Sequence, residues 1–559
     1  MVDAPTLDAY QFHEQEWESY EELVAAFEWE VPDQFNIATY ACDRWADDRG
    51  RVALFAEDGD GGESTHTFWQ LRTAANRLAN YLAERGVGRG DRICVSGSQK
   101  PGTILGHLAA WKLGAVSVPL SVLLGPDGLS YRLADSGATA FVVDAASVEA
   151  FRAIEADLPS LETVLTVGDA EPAAGERDLQ TAIADASPRR ETATTAADDP
   201  AIVIYTSGTT GDPKGVVHGH ATLLGTLPCV NLGALNATVS ERDVGRTVVE
   251  WSWAGALFDF LLPLWYYGRP VVAHEHGEFD PATEFELVET YGITVVNAPP
   301  TALRMLMQVE DPAETYDLRS LRVLFSGGES VGDTIVDWAD DAFENAVVHE
   351  GYGQTEAPAF IGDCSALGVD HRAGKMGVAS PGSEVRILDP DTGEETVDPG
   401  EIGEIALRYE GNPGCFAEYL NKPEKTAGKV EDGWLLSEDL GSVDEDGYVT
   451  FQSRKDDVII SAGYKIGPEE VEDALAGHPA VADAGVVGVP DDTRGEIPKA
   501  FVVLAAGHGP SEVLAEELTD HVRDRLAKYE YPREIEFVDD LPTTTTGKVR
   551  RRDLRARDD

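Results

Sequence analysis

An α/β fold of more than one domain is predicted, and three observations predict it. The chain has 559 residues, room for three or four units of about 150 residues each. Short apolar, β-branched runs alternate with helix-period stretches over its first two thirds. From about residue 383 the texture changes to strand pairs separated by turn sequences.

The alternating part supplies strands at Arg92–Ser96, Phe141–Val143, Ala201–Tyr205, Thr294–Asn297 and Leu321–Phe325. Between them lie helical patterns over Thr67–Arg85 and Pro281–Tyr291. Runs this short and this apolar predict largely parallel sheets covered on both faces. Residues 168–200, rich in Ala, Asp and Thr, read as a solvated excursion before the next strand. Farther on, EVRILD, GEIALRY and GYVTFQSRKDD are separated by DPDTG, DPGEIG and DEDG, which predicts antiparallel hairpins. After Arg454 comes a compact segment with helices over Pro468–Ala476 and Ser511–Leu526 and strands near Ala484–Val489 and Lys499–Leu504. The expected organisation is a large N-terminal domain over 1–453, made of α/β subdomains and a β-rich subdomain. A small α+β C-terminal domain over 458–559 follows, with the boundary at Arg454–Asp457. No internal repeat is visible.

Charge narrows the partners. Lys and Arg total 44 against 100 Asp and Glu, a formal net charge of −56. Such a surface repels phosphate backbones and anionic lipids, so no nucleic-acid or membrane partner is expected. A small phosphate-bearing ligand remains open, because a buried pocket can use backbone N–H groups and one or two local cations. Hydrophobic residues at 43% argue for a packed chain rather than a disordered one. Only 12 of the basic residues are Lys against 32 Arg, which reads as adaptation to a salt-loving cytoplasm, where screening removes self-repulsion. Five dispersed cysteines, Cys42, Cys94, Cys229, Cys364 and Cys415, form no CxxC and no even framework, as expected in a reducing interior. The acidic N-terminus has no apolar core of a signal peptide, and the most apolar stretch, Trp251 to Tyr267, contains Asp259 and is too short to span a bilayer. The expected location is cytoplasmic.

The densest motif is Tyr205-Thr-Ser-Gly-Thr-Thr-Gly-Asp-Pro-Lys214-Gly-Val216, directly after the Ala201–Tyr205 strand. Glycines free the backbone to wrap an anion, the hydroxyls donate, and Lys214 adds positive charge. It matches neither the P-loop nor the GxGxxG spacing. This string resembles the phosphate-binding signature of the AMP-forming adenylating enzymes: acyl-CoA synthetases, stand-alone adenylation domains and luciferases. Five further motifs stand in that family's order between about 200 and 550. Near the N-terminus PDQFNIA (from Pro32) and CDRW (from Cys42) look like the medium-chain acyl-CoA synthetase branch.

The resemblance implies roles for named residues. Thr206, Ser207, Gly208, Thr209, Thr210, Gly211, Asp212, Pro213 and Lys214 would hold the β- and γ-phosphates of ATP. Gly328, Glu329 and Ser330 lie in the turn Ser326-Gly-Gly-Glu-Ser330, which would pack on adenine. In Glu350-Gly351-Tyr352-Gly353-Gln354-Thr355-Glu356, Tyr352 would stack on adenine, Thr355 would meet the α-phosphate and Glu356 would bind Mg²⁺. Asp439 would accept both ribose hydroxyls; Glu438 stands where the family usually has Gly, which puts the local backbone in question. Arg454 would contact the ribose, Asp456 would be the hinge, and Lys465 takes the place of a phosphate-contacting residue that is usually Arg. Ala462, Gly463 and Tyr464 would line the pantetheine tunnel of CoA, with Ala462 in place of the usual Ser. Lys548, in Leu541-Pro-Thr-Thr-Thr-Thr-Gly-Lys548, would be the mobile catalytic lysine, bridging the acid's carboxylate and the α-phosphate.

These roles imply a ligase with ATP, Mg²⁺ and CoA. It would convert a carboxylic acid to acyl-AMP and then, after the small domain turns, to acyl-CoA. In acetate-specific relatives a Trp stands at the position of Gly353, so a longer chain, medium-chain fatty or aromatic, is expected here. Trp251, Trp253, Ala254, Gly255 and Phe258 are candidate walls of the acyl pocket, with ordinary core as the alternative reading. Acetyl- or propionyl-CoA synthesis, loading of a carrier protein's phosphopantetheine, and a non-catalytic module that keeps the fold are the other readings weighed. The last of these predicts loss of Lys548 or Glu356, and both are present. The pairs His218/His220 and His274/His276 read as structural rather than metal-binding, and Arg550–Arg552 is too small a basic patch for nucleic acid. The pattern around Lys548 raises its acetylation as a regulatory expectation, and self-association stays open.

Overall fold

The computed structural model describes residues 4–557, apart from 59–60, 207–212, 276–278, 391, 397, 456, 462–463, 492–493, 524, 527–530 and 544–548; for 460, 464, 465 and 495 it describes the backbone alone. A large N-terminal α/β part and a smaller C-terminal part are formed around four sheets. In the eight-stranded sheet the strands run, side by side, Glu418–Tyr419, Lys214–Gly219, Pro200–Thr206, Val116–Leu120, Arg92–Ser96, Ala140–Asp144, Thr163–Val167 and Glu176–Asp178. From Pro200–Thr206 to Glu176–Asp178 every neighbour is parallel. The nine-stranded sheet has a parallel centre, Val271–His274, Gly245–Thr247, Val295–Asn297, Val323–Gly327 and Val347–Gln354, with antiparallel strands at its Ala357–Gly362 side. Parallel strands buried on both faces account for the runs seen in sequence.

Local chemistry sets the element ends. The helix Phe68–Ala83 begins at a capping box in which Thr67 and Gln70 satisfy each other's backbone donors. Pro281–Tyr291 starts at Asp280, whose carboxylate accepts from Thr283 N–H, and stops at Gly292 in the left-handed region. The expected hairpins are present: Val385–Leu388 pairs with Gly403–Arg408, and Trp434–Val443 with Val449–Arg454, all antiparallel. In the C-terminal part the long ribbon Val481–Asp491 with Gly495–Leu504 is backed by the helices Pro468–Ala476 and Glu512–Arg523.

One expectation is corrected. Residues 168–200 are not only a solvated excursion: Glu176–Asp178 adds the edge strand of the eight-stranded sheet, and Leu179 and Ile183 of the next short helix are buried in the main core. Glu176, itself buried, is held by Arg152 at 2.7 Å, so a charged edge residue is paired rather than solvated.

The N-terminal strings PDQFNIA and CDRW pack rather than face a ligand. Asn36 caps Ile37–Ala41 and donates to the Trp111 and Ala193 carbonyls. Asp43 forms a buried pair with Lys112 at 2.5 Å, and Thr192 donates to the same carboxylate at 2.6 Å. Losing either charge would strand the other in the core, a cost of about 3–5 kcal/mol.

Candidate active site

The carboxyl ends of Pro200–Thr206, Val295–Asn297, Val323–Gly327 and Val347–Gln354 carry the motifs, the usual place for a ligand in α/β sheets. The glycine-rich loop is the turn of a hairpin, since Pro200–Thr206 pairs antiparallel with Lys214–Gly219 and Thr206 faces Lys214 across its mouth. Ser207, Gly208, Thr209, Thr210, Gly211 and Asp212 lie outside the described residues. The loop's base is anchored: the Pro213 carbonyl accepts from Tyr131 Oη at 3.0 Å and from Lys422 Nζ at 2.9 Å. Burial lowers the Lys214 ammonium's pKa, and nearby Glu356 partly offsets this. Lys214 Nζ lies 4.6 Å over the Tyr419 ring.

Glu356 is buried, and Tyr419 Oη donates to its Oε1 at 2.5 Å. Thr355 is fixed from behind by His218, whose Nε2–H donates to the Thr355 carbonyl at 2.6 Å. Burial pushes the His218 imidazole down to about 4, so at neutral pH it is an uncharged strut, in keeping with a structural His. No group of three or more His, Cys, Asp and Glu side chains able to hold a metal occurs among the described residues. Glu356 alone therefore fits a divalent ion carried in on phosphate oxygens rather than one caged by protein.

The turn Ser326–Ser330 is shaped by close approach. A Cβ on Gly327 would sit 2.3 Å from the Gly351 carbonyl oxygen, and Gly328 has φ +89°. Glu329 accepts from Thr301 Oγ1 at 3.0 Å and pairs with Arg304 at 3.7 Å. Glu350 is buried beneath this turn: its Oε2 accepts from Val331 N–H at 3.1 Å, while its own N–H donates to Asp363. Burial raises the Glu350 pKa.

Asp439 is the most fully assembled group. It is 4% exposed, and its Oδ2 accepts from Tyr352 Oη and from Gln354 Nε2, each at 2.6 Å. Oδ1 has no hydrogen bond among the described residues and lies 3.4 Å from Arg454 Nε, which has none either. Asp439 and Arg454 are cross-strand partners, so the sheet register itself brings them together. Burial alone would lower the Arg454 pKa, but Asp439 and Glu438 outweigh it and hold the guanidinium charged. Glu438 settles the backbone question: it adopts φ +65°, the left-handed conformation a Gly would take, and pairs with Arg454 at 3.2 Å and Lys429 at 3.4 Å.

Across the chain reversal, Asp456, Ala462, Gly463 and Lys548 lie outside the described residues, as does His276, and of Tyr464 and Lys465 only the strand Tyr464–Ile466 is described. Their surroundings are ordered by charge. Asp457 pairs with Arg555 at 2.9 Å and Arg551 at 3.4 Å, and Arg551 also holds Glu469 and Glu472 at 2.8 and 2.6 Å. Thr543 and Val549 form an antiparallel bridge that closes the loop of Lys548, and Arg551–Arg555 follows at once.

The acyl end departs from expectation. Trp251 is fully buried and belongs to the main core, whereas Trp253 and Gly255 are partly exposed. Gly353 does not leave room by lacking a side chain: a Cβ there would lie 2.3 Å from the Ala359 backbone nitrogen, so the close approach of Ala357–Gly362 demands glycine. Tyr419, His218, Ser437 and Glu404 were not singled out as site residues from sequence. Ser437 Oγ accepts from Asp439 N–H, and Glu404 accepts from Glu438 N–H. Ser437 is a local neighbour of Asp439, whereas Tyr419, His218 and Glu404 come from distant segments.

The model of the AMP-binding enzyme family matches residues 42–420, and that of the AMP-binding enzyme C-terminal domain matches 470–548. The acyl-CoA ligase YtcI of Bacillus subtilis (strain 168) is 35% identical over 529 residues, 95% of this chain and 97% of its own. Mitochondrial acyl-coenzyme A synthetase ACSM3 of Mus musculus is 33% identical over 97% of this chain and 94% of its own. A crystal structure of the anthranilate CoA ligase AuaEII with anthranoyl-AMP superposes with a TM-score of 0.85 at 29% identity, covering 94% of this chain and 98% of that one. With both family models matched in order and relatives aligned along nearly the whole length, this chain belongs to the AMP-binding enzymes and is an AMP-forming acid–CoA ligase.

Proposed function

We propose that the ligase activates an acid larger than acetate, a medium-chain fatty acid or an aromatic acid of similar size, with the residue roles that follow. The overall reaction joins ATP and a carboxylic acid to acyl-AMP and pyrophosphate, then passes the acyl group to the CoA thiol, releasing AMP. The observation that carries the assignment of roles is Asp439: one oxygen is held by Tyr352 and Gln354, and the other carries no hydrogen bond beside Arg454. A ribose diol would supply the missing donors, and Arg454 stands ready at its edge. The tether through the Tyr352 hydroxyl fixes that ring next to the ribose position, which suits stacking on adenine.

Lys214 and the glycine-rich turn receive the outer phosphates, and Thr355, braced by neutral His218, faces the α-phosphate. Mg²⁺ would be held by Glu356 together with phosphate oxygens, where it would neutralise charge developing on them. Tyr419, by donating to one oxygen of Glu356, orients the carboxylate. Lys548 supplies the positive charge between carboxylate and phosphorus during adenylation and is withdrawn for thioester formation, the two parts turning about Asp456 between 453 and 458. The shielding of the acidic surface implies best activity in concentrated KCl.

Size of the acid rests on the similarity to a CoA ligase solved with anthranoyl-AMP and on the partly exposed Trp253 and Gly255. The test is AMP formation in concentrated KCl with ATP, Mg²⁺ and acids from acetate to palmitate, with benzoate added, with and without CoA. CoA-dependent turnover peaking above propionate is expected. A peak at acetate would overturn the size reading, and pyrophosphate exchange without CoA turnover would favour a carrier-protein acceptor.

A further inference from the structure

Asp259 is the one acidic or basic side chain in the apolar stretch Trp251–Tyr267. It lies in a π-helical turn, Leu257–Leu261, a widened form of helix frequent at functional sites. Oδ1 is sealed from solvent and receives no hydrogen bond from any described residue. Burial raises its carboxyl to about 8. An oxygen left so costs stability in the ligand-free protein, and an alkyl tail laid against it would leave it without a donor still.

The side chain points to a particular space. A Cβ on Gly255, four residues earlier, would meet Asp259 Oδ2 at 3.8 Å and nothing else within 4 Å beyond its chain neighbours and its own helix backbone. Gly255 and Asp259 are both partly exposed, so the absent side chain and the carboxyl's Oδ2 side border one opening. The Gly255 carbonyl accepts from Asn297 Nδ2 at the carboxyl end of Val295–Asn297, the sheet edge that carries the nucleotide turn. Next to Asp259, Phe258 packs on His218 at 5.6 Å, and His218 holds Thr355. Cys229, in the helix Thr222–Gly233, also feels the Asp259 charge, which adds to the rise that burial causes in its thiol.

We infer that the opening between Gly255 and Asp259 receives the far end of the substrate acid, and that this acid carries a hydrogen-bond donor there, a hydroxyl or an amino group. The inference rests on the acid–CoA ligase assignment. Asp259 is then a specificity residue: it accepts from the substituent and takes no part in the chemistry at the carboxylate.

The experiment compares kcat/KM for CoA-dependent AMP formation on matched linear and aromatic acids, unsubstituted or bearing a hydroxyl or amino group at the far end. Wild type, Asp259→Asn and Asp259→Leu are measured as full-length enzymes. Wild type is expected to favour a donor-bearing acid over its parent by about tenfold or more. Asp259→Leu should reverse that order, and Asp259→Asn should keep a hydroxyl preference while losing an amino one. Preference for the parent acid in wild type overturns the inference, as does a ratio unchanged in both variants. Should Asp259→Leu not fold, the wild-type ratio and Asp259→Asn decide it. No CoA-dependent AMP from any acid would instead bring down the ligase assignment, and this inference with it.

Discussion

The nucleotide end and the acyl end of the site are built on opposite plans. Around Asp439 one carboxylate oxygen is held by two donors from a distant strand, Tyr352 and Gln354, its N–H is held by Ser437 two residues away, and Arg454 is set beside the other oxygen by sheet register. Around Asp259 the walls are apolar, and the carboxyl's Oδ1 receives no hydrogen bond among the described residues. The first plan fixes one ligand in one pose, because each partner excludes alternatives. The second leaves a single polar demand in an apolar surround, which selects among acids without altering what is done to them.

The largest effect should fall on the shared chemistry. Lys548→Ala is expected to slow adenylation by about 10²–10³-fold, as for loss of a preorganised charge, while thioester formation from supplied acyl-adenylate stays within a few-fold. Equal losses in both steps would remove the two-conformation account. Next comes the assembled end. Asp439→Asn should raise the KM for ATP by about ten- to a hundredfold, the worth of roughly 1.5–3 kcal/mol in charged hydrogen bonds. Tyr352→Phe, which removes one of the tethers, should cost less, and steady-state kinetics on the two variants orders them.

The acyl end should answer in stability. The Asp259 carboxyl sits near 3.8 when unfolded and at about 8 when folded. Between those values the folded state holds a proton that the unfolded state lacks, so wild-type stability falls as pH rises across that window. Asp259→Asn does not titrate. Its advantage over wild type should grow from near zero at pH 4, by about 1.4 kcal/mol per pH unit at most, to several kcal/mol at pH 8, followed by denaturant unfolding. Parallel stability curves would show that the carboxyl is not buried as described. The smallest effect is at Glu438. Glycine there relieves left-handed strain worth about 1 kcal/mol, which offsets the loss of the pair to half-buried Arg454 and of one partner of buried Lys429, whose ammonium keeps the Ser437 carbonyl. Glu438→Gly should therefore change Tm little, and Glu438→Ala, which keeps the strain and loses both pairs, should lower it.

The same contrast explains what could be read beforehand. The strand at 92–96 and the helices at 281–291 and 468–476 were legible to the residue, because capping residues, prolines and β-branched runs act locally. The motif order identified the nucleotide end for a similar reason, since each motif is a short loop after a strand. Tyr419 was not legible: it reaches Glu356 across 63 residues through a two-residue strand, Glu418–Tyr419, that pairs with Lys214–Gly219. The left-handed backbone at Glu438 was flagged only as a question, and its answer needed the Glu404 and Arg454 partners. Gly353 was read as vacant space, yet the volume belongs to the backbone of a neighbouring strand. Close approaches of this kind depend on register, which no single segment encodes.

The division between the two ends is tested most directly by measuring KM for ATP and the order of preferred acids on Asp439→Asn and Asp259→Asn side by side. The account predicts that Asp439→Asn raises KM for ATP equally with every acid and keeps their order. It predicts that Asp259→Asn reorders the acids and leaves KM for ATP unchanged. If either variant shifts both quantities together, the two ends are not separate devices.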